Sequence, residues 1–210
     1  MDWGFQKMMN DLLYIALSLV IAYLLGSIPT GIIIGKIWHR TDVRSHGSGS
    51  TGATNVLRVL GPSAGASVLI IDIFKGALAV FVASILTDVI WVKPLCGSIA
   101  IIGHIVPVFS KFKGGKGVAT GIGAIFLVNP LAIVGVLIGV IVIAITRTAS
   151  LGSIIGSAFG MIIMILTIIF SINGANAWDL IFAVPAPLII FASHHENIRR
   201  LFSGNERKIQ

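Results

Sequence analysis

Three segments of the chain combine glycine, hydroxyl and basic side chains at spacings that suit the binding of phosphate. The first, residues 47–55, holds three glycines together with Ser48 and Thr54. Successive backbone N–H groups in such a run can form a concave anion site, and glycine permits the positive φ that this shape requires. Arg44 and Arg58 place positive charge on both sides of the segment. We interpret it as a phosphate-binding loop rather than as a flexible linker.

The second segment, residues 111–117, contains three lysines and three glycines. It is not a P-loop, because the G-x-x-x-x-G-K-[ST] pattern is absent and a glycine follows Lys116. The glycines around Lys116, just ahead of a short apolar stretch, indicate a phosphate cradle.

The third segment, residues 194–200, begins with two adjacent histidines and ends with two arginines. On a helix His194, Asn197 and Arg200 fall at i, i+3 and i+6 and therefore share one face. Adjacent histidines point about 100° apart on a helix, so they make a poor metal pair. The chain also has a single cysteine. We therefore expect no metal site.

The composition indicates an integral membrane protein. Apolar residues make up 56% of the chain and charged residues 11%, whereas soluble domains have roughly 45–50% and about 25%. With a mean hydropathy of +0.99, the chain has too few charges to cover a water-facing surface. The net charge of +7 suits anionic lipid or phosphorylated substrates, and nucleic acid is not an expected partner.

Seven apolar stretches are predicted to form membrane-spanning helices of one membrane-embedded domain over residues 1–210. They are residues 12–34, 68–92, 95–109, 118–128, 131–146, 151–170 and 178–193. With the N-terminus outside, twelve Lys and Arg residues fall on the inner side and two on the outer side, which predicts a cytoplasmic C-terminus. A five-span arrangement with a single helix over residues 118–146 is the alternative. Asn129-Pro130 argues against it.

Polar residues also lie inside the predicted spans. Asp72 and Lys75 have the i, i+3 spacing of an ion pair, and both a functional role and a structural role that braces the inner loops stay open. We expect His104, in an otherwise apolar run, to be a hydrogen-bonded packing residue. Small residues at four-residue spacing predict close helix packing; they are Gly135, Gly139, Gly152 and Gly156.

Taken in order along nearly the whole chain, these motifs resemble the bacterial acyl-phosphate:glycerol-3-phosphate acyltransferase family, the PlsY family. The matching stretches are Gly26-Ser27-Ile28-Pro29, Asp42-x-Arg44, Gly47-Ser48-Gly49, Gly52-Ala53-Thr54-Asn55, Asp72-x-x-Lys75-Gly76, Gly103-His104, residues 112–120, residues 150–153, and His194-x-Glu196-Asn197 through Gly204-x-Glu206. Ser50 stands where the family usually has asparagine.

The resemblance implies an all-α integral membrane enzyme of seven helices. It would transfer a fatty acyl group from acyl phosphate to the 1-hydroxyl of sn-glycerol 3-phosphate, giving lysophosphatidic acid and phosphate without a metal or cofactor. Its partners would be acyl phosphate, glycerol 3-phosphate and membrane lipids. It would act in the bacterial cytoplasmic (inner) membrane, with the site on the cytoplasmic face.

The resemblance also assigns roles to individual residues. The implied catalytic residues are His194 and Ser48. Those implied for acyl phosphate are Gly47, Ser48, Gly49, Gly52, Thr54 and Asn55. Those implied for glycerol 3-phosphate are Arg58, Lys116, Ser150 and Asn197, supported by Arg44, Lys113, Glu196 and Arg200. The general base stays open between His194 and a phosphate oxygen of the substrate.

A small phosphate or anion transporter is the alternative function. A transporter needs polar residues that can be reached from both sides of the membrane, and often has internal repeats. The chain shows no internal repeat, and its predicted outer loops are short. A scaffold protein is a weaker alternative, because a scaffold does not require so many oriented polar motifs.

Overall fold

The computed structural model describes residues 3–209, and its regular structure over that range is helical, without β-strands. The helices are α1 (Trp3–Ser27), α2 (Thr30–His39), α3 (Ala53–Leu60), α4 (Pro62–Leu86), α5 (Val92–Ile105), α6 (Val118–Val128), α7 (Ile133–Thr146), α8 (Ala149–Ile169), α9 (Leu180–Ala183), α10 (Pro185–Ser193) and α11 (His195–Phe202). Short 3₁₀ turns lie at Val43–Ser45, Val108–Ser110, Pro130–Ala132, Ile172–Gly174 and Ala177–Asp179. The predicted all-α class is confirmed.

Length and apolar character allow four helical stretches within residues 3–209 to cross a bilayer: α1 with α2, α4, α5 with the turn after it, and α8. A fifth forms if the stretch Ala177–Ser193 and α11, which meet at 63°, count as one span. The helices α6 and α7 are apolar but shorter. Seven crossings and an outer N-terminus therefore stay predictions.

One predicted span differs from the structure, whereas the predicted division at Asn129-Pro130 is confirmed. The stretch 12–34 is interrupted before Pro29, because proline lacks a backbone N–H and disfavours helix in the residue before it. The single helix over 118–146 is not formed. The backbone at Asn129 is extended, with φ −149° and ψ 90°, and Pro130 opens a 3₁₀ turn. The other predicted spans overlap observed helices, with ends displaced by up to six residues, and the span 178–193 is divided among a 3₁₀ turn, α9 and α10.

Glycines set the spacing between helices, as their pattern predicts. A Cβ added at Gly139 on α7 would lie 2.6 Å from the carbonyl oxygen of Gly152 on α8. On α4, a Cβ at Gly76 would clash with the backbone of Thr120 on α6. The helices therefore approach to backbone contact at these points, and the prediction for α7 and α8 is confirmed.

The two ends of the helical bundle carry different loops. At one end Thr51 N–H donates to Gly114 O (3.5 Å), which joins the first two polar segments, and Lys116 Nζ donates to Oδ1 of Asn197, which joins the second to the third. A different polar pocket is lined by Asp88, Lys93, Asn129 and Asn176, which lie in the loops at the other end. The predicted convergence of the glycine-rich and basic segments on one side is confirmed.

Candidate functional site

Asn55 holds the first glycine-rich loop in shape. Its side chain is 2% exposed, and its Oδ1 accepts from the Ser48 N–H at 2.7 Å. Its Nδ2 donates to three backbone carbonyls; these are Val43 (3.1 Å), His46 (3.2 Å) and Ser50 (2.9 Å). The whole carboxamide is therefore engaged by the loop, so the structure gives Asn55 the geometry of an anchor rather than of a phosphate ligand.

The turn at Ser48 depends on two glycines. Gly47 and Gly49 have φ of 61° and 73°, in the left-handed region that side chains disfavour. A Cβ at Gly47 would also clash with Oδ1 of Asn55. Ser48 lies exposed between them, and its hydroxyl can therefore reach a ligand.

Three backbone N–H groups of this loop are engaged within the protein. The N–H of Ser48 donates to Asn55, that of Gly49 to His46 O (3.1 Å) and that of Thr51 to Gly114 O. These three donors are therefore not available to an anion, whereas the N–H groups of Ala53 and Thr54, in the first turn of α3, have no acceptor within the helix. The anion site on this backbone stays a prediction.

Ser50 has a local role despite replacing the family asparagine. Its Oγ accepts from the Gly52 N–H at 3.2 Å, which closes the turn just before α3 begins. Thr54 lies half-buried in the first turn of α3. The helix thus starts at the end of the glycine-rich loop and carries Arg58 one turn further along.

Arg44 stabilises the same loop through a neighbouring carboxylate. Its Nη2 lies 2.7 Å from Oδ2 of Asp42 and its Nε 3.0 Å from Oδ1. These hydrogen bonds lower the pKa of Asp42 to about 2. The guanidinium of Arg44 is therefore engaged within the loop, in agreement with a supporting role.

Glu206, from the C-terminal segment, joins residues of two other segments. Its carboxylate accepts from Ser150 Oγ (3.0 Å), Asn197 Nδ2 (2.6 Å) and Arg200 Nε (2.8 Å). Lys116 Nζ in turn donates to Oδ1 of Asn197. Three of the four residues predicted for glycerol 3-phosphate are thus linked through one carboxylate.

Arg58, the fourth of these residues, lies close to the same cluster. One of its Nη2 N–H groups donates to the carbonyl of Arg207 at 3.1 Å. Its Nε is buried and has no hydrogen-bond partner within residues 3–209. A buried donor of this kind is uncommon in proteins, and it leaves an N–H that an anion could satisfy.

The charges of this cluster suit a phosphate ester. Burial lowers the pKa of Lys116 to about 8, an effect that the carboxylate of Glu206 partly opposes. Burial also acts to raise the pKa of Glu206, but hydrogen bonds from its three donors lower it. At pH 7, Arg58, Lys116 and Arg200 are therefore cationic and Glu206 is anionic. The net charge of two positive matches a phosphate monoester, whose second pKa is about 6.

His194 lies at the bend between α10 and α11 and is 2% exposed. Its Nδ1 is 2.8 Å from the carbonyl oxygen of Ile190. A carbonyl only accepts, so this contact assigns the proton to Nδ1 and leaves a lone pair on Nε2. Ser193 Oγ lies 2.7 Å from the carbonyl oxygen of Ile190 and 3.1 Å from that of Lys116, which places the bend beside the lysine segment.

The remaining predicted residues lie at the rim. Lys113 is exposed, and the side chain of Glu196 is 74% exposed and 3.6 Å from Arg200. The role of Glu206 was not predicted from the sequence. It is one of only eight acidic residues in the chain and lies just after a segment rich in arginine. This position could have indicated a carboxylate that pairs with the nearby cations.

An apolar cleft of about 100 Å³ lies between α5, α6, α7, α8 and α10. Val118 and Gly152, which line it, are two residues from Lys116 and Ser150, so the cleft begins beside the polar cluster. Its other lining residues include Met164 and Phe182. A polar head held by the cluster could therefore carry an alkyl chain into the cleft.

Comparison with known proteins identifies the family. A family model described as glycerol-3-phosphate acyltransferase matches residues 16–204. The chain belongs to the glycerol-3-phosphate acyltransferase family. Two members are similar over nearly their whole length: glycerol-3-phosphate acyltransferase 2 of Bacillus anthracis is 40% identical over 195 residues, covering 92% of this chain and 98% of the relative. Glycerol-3-phosphate acyltransferase of Macrococcus caseolyticus is 45% identical over 205 residues, covering 93% and 97%.

Solved structures of the glycerol-3-phosphate acyltransferase family have the same fold. Crystal structures of PlsY (YgiH), an integral membrane glycerol 3-phosphate acyltransferase, match 93% of this chain. The glycerol 3-phosphate form has a TM-score of 0.85 at 34% identity and is covered over 96% of its length. The lysophosphatidic acid form has a TM-score of 0.83 at 33% identity, with 95% covered. The family resemblance is thus confirmed, and the chain is a multi-pass membrane protein.

Proposed function

We propose that this acyltransferase moves a fatty acyl group from acyl phosphate to the 1-hydroxyl of sn-glycerol 3-phosphate, giving lysophosphatidic acid and phosphate. One observation carries the proposal: Arg58, Lys116, Ser150 and Asn197 converge in a cluster of net positive charge beside an apolar cleft. The PlsY structures in glycerol 3-phosphate and lysophosphatidic acid forms support an acceptor and product of this kind. Membership of an acyltransferase family also disfavours the transporter alternative.

The acceptor phosphate is assigned to the cationic cluster. Lys116 and Arg58 would balance its charge, and the unbonded Nε–H of Arg58 is a donor ready for it. Asn197 has a second amide N–H besides the one that bonds Glu206. Ser150 has a single hydroxyl proton, directed to Glu206 in this structure, so its contact with phosphate requires that hydrogen bond to exchange.

The donor is assigned to the glycine–serine loop and the apolar cleft. The exposed hydroxyl of Ser48 and that of Thr54 would donate to the acyl phosphate, since the N–H groups of Ser48, Gly49 and Thr51 are engaged within the protein. The alkyl chain would lie in the cleft, where burial of methylene groups stabilises it by about 0.8 kcal/mol each. The lipids of the membrane would form the surroundings of that chain.

The reaction needs no covalent enzyme intermediate, because an acyl phosphate is already activated. The glycerol 1-hydroxyl oxygen bonds to the acyl carbon, the bond from that carbon to the phosphate oxygen breaks, and phosphate leaves. The hydroxyl proton passes to a base, either Nε2 of His194 or an oxygen of the departing phosphate. Holding both substrates at one site supplies much of the rate enhancement.

The activity is tested directly with purified protein, palmitoyl phosphate and labelled glycerol 3-phosphate, with palmitoyl-CoA in a parallel arm. We expect labelled lysophosphatidic acid and phosphate in equal amounts from palmitoyl phosphate, and no product from the thioester. Equal rates from both donors would overturn the proposed donor. Absence of product from either donor would overturn the proposed function itself.

We also place the site on the cytoplasmic face of the bacterial inner membrane, since basic residues are concentrated at that end of the bundle. Single-cysteine labelling in intact cells tests this, because the native Cys96 is fully buried. Lys113→Cys lies at the site end and Asn173→Cys at the opposite end, and both positions are exposed. An impermeant thiol reagent should label the second variant only, and the reverse pattern would contradict the orientation.

A further inference from the structure

A polar network lies buried among α2, α4, α5 and α6 and takes no part in the proposed chemistry. We define the buried polar network as Thr30, Asp72, Lys75, His104 and Thr120, each at most 6% exposed. Oδ1 of Asp72 accepts from Thr30 Oγ1 (2.9 Å) and lies 2.8 Å from Lys75 Nζ. Apolar residues can often replace a buried ion pair without loss of stability, so stability alone does not account for these charges.

His104 connects this network to the segment that carries Lys116. Its carbonyl oxygen accepts from the Gly115 N–H at 3.1 Å. A Cβ at Gly115 would clash with Nε2 of His104, and one at Gly114 with its carbonyl oxygen. On the other side of Lys116, Thr120 Oγ1 lies 3.1 Å from Nδ1 of the same imidazole. One histidine therefore anchors the chain both before and after the lysine.

The opposite side of the network holds the break between α1 and α2. Lys75 Nζ donates to the carbonyl of Ile28 at 2.9 Å, and Thr30, the first residue of α2, bonds Asp72. Nδ1 of His104 is 3.7 Å from that same carboxylate oxygen. The first residue of α2, the helix that leads into the Ser48 loop, and the histidine that contacts the Lys116 segment therefore both lie next to one buried carboxylate oxygen.

We propose that His104, hydrogen-bonded to Thr120 and lying next to Asp72, is a positioning residue that sets the location of Lys116 in the anion site. The identity of that anion as glycerol 3-phosphate rests on the proposed function. The imidazole lies below Gly115 rather than in the cluster around Glu206, so it acts through the lysine segment. A change at His104 should therefore alter substrate binding more than the chemical step.

The test is His104→Leu, which removes both ring nitrogens. We expect the KM for glycerol 3-phosphate to rise about fivefold to tenfold, the range expected for one net hydrogen bond, while kcat changes less. His104→Asn, whose amide can place a polar atom near the position of Nδ1, should restore most of the affinity. A merely structural residue would instead lower the yield of folded enzyme and leave KM unchanged.

A double-mutant cycle with Lys116→Ala measures the coupling. If His104 acts through Lys116, His104→Leu should change the KM less than about twofold once the lysine side chain is absent. The same fivefold to tenfold factor in both backgrounds would overturn the proposal. Ser98→Ala on α5 is the matched control, because it removes another buried hydrogen bond, to Ile181 O at 2.9 Å, and should leave the KM unchanged.

Two further measurements test the positioning role if His104→Leu does not fold or if the wild type is inactive. If His104→Leu does not fold, Thr120→Val removes the partner hydroxyl with little change in shape, and the same rise in KM is expected. Equilibrium binding of labelled glycerol 3-phosphate gives the affinity without any acyl transfer, so an inactive wild type would count against the proposed function alone. Unchanged binding in folded Thr120→Val and His104→Leu proteins would overturn the positioning role.

Discussion

The ammonium group of Lys116 should make substrate capture sensitive to pH in one direction. Burial lowers its pKa to about 8, and a lysine is cationic below its pKa. Its attraction for a phosphate ester is therefore complete at pH 7 and is lost as the pH rises through 8. The substrate itself stays a dianion over this range, because the second pKa of a phosphate monoester is about 6.

The expected size of the effect follows from this titration. Above pH 8 the charged fraction of Lys116 falls about tenfold for each pH unit, and kcat/KM for glycerol 3-phosphate should fall with it. The decline in kcat/KM should level off at the kcat/KM of the Lys116→Ala variant. A hydrogen bond to a charged group contributes about 1.5–3 kcal/mol, so this variant should be about 10-fold to 150-fold less efficient at pH 7. Near pH 10 the kcat/KM of the wild type should approach that of Lys116→Ala.

The assay is initial-rate acyl transfer at fixed ionic strength from about pH 6.5 to about pH 10, with saturating palmitoyl phosphate. Lys116→Arg is the matched control, because a guanidinium stays charged over this range. Its profile should remain flat where the wild type declines. A wild-type profile without a decline, or an arginine variant that declines along the same curve, would refute the assignment of the titrating group to Lys116.

Three further predictions concern single side chains. Asn55→Asp places a carboxylate against three carbonyl oxygens; we expect thermal unfolding to show a loss of about 2–4 kcal/mol and kcat to fall, because Ser48 loses its anchor. Gly139→Val should destabilise the helix pair by about 1–3 kcal/mol in the same assay, since its Cβ would lie 2.6 Å from Gly152 O. His194→Ala should lower kcat by about 10²–10⁴-fold if Nε2 is the base. A decrease below about tenfold would assign that proton to the substrate phosphate.

Much of the fold could be predicted because the signals are local. The length of the apolar stretch predicted α6 with its observed bounds, 118–128. The four-residue spacing of the glycines predicted the close contact between α7 and α8. The break before Pro29 and the bend at His194 were not predicted. The proline is itself a local signal for the first of these, whereas the bend at His194 depends on tertiary contacts, such as that between Ser193 Oγ and Lys116 O, which the pattern of apolar residues does not contain.

The candidate site was predictable in its residue types but not in its hydrogen bonds. Glycines and serine predicted a phosphate-binding loop, and the glycine-rich turn has formed, yet the N–H groups of Ser48, Gly49 and Thr51 bond to the protein. Asn55 was assigned to phosphate, whereas its buried carboxamide bonds the loop backbone. The same amide or carboxylate side chain can bind a ligand or stabilise the protein. Only its partners in the folded structure show which of these roles it has.

The carboxylate of Glu206 shows why this distinction matters for specificity. Without it, Arg58, Lys116 and Arg200 would meet as three cations in a partly buried site, and their mutual repulsion would oppose folding. With it, the cluster keeps two positive charges, and its donors have fixed directions. A phosphate monoester would neutralise that charge, whereas a phosphodiester would leave one cation uncompensated. If the cluster binds the substrate phosphate as proposed, Glu206 would contribute to the choice of anion by limiting the positive charge that the anion must balance.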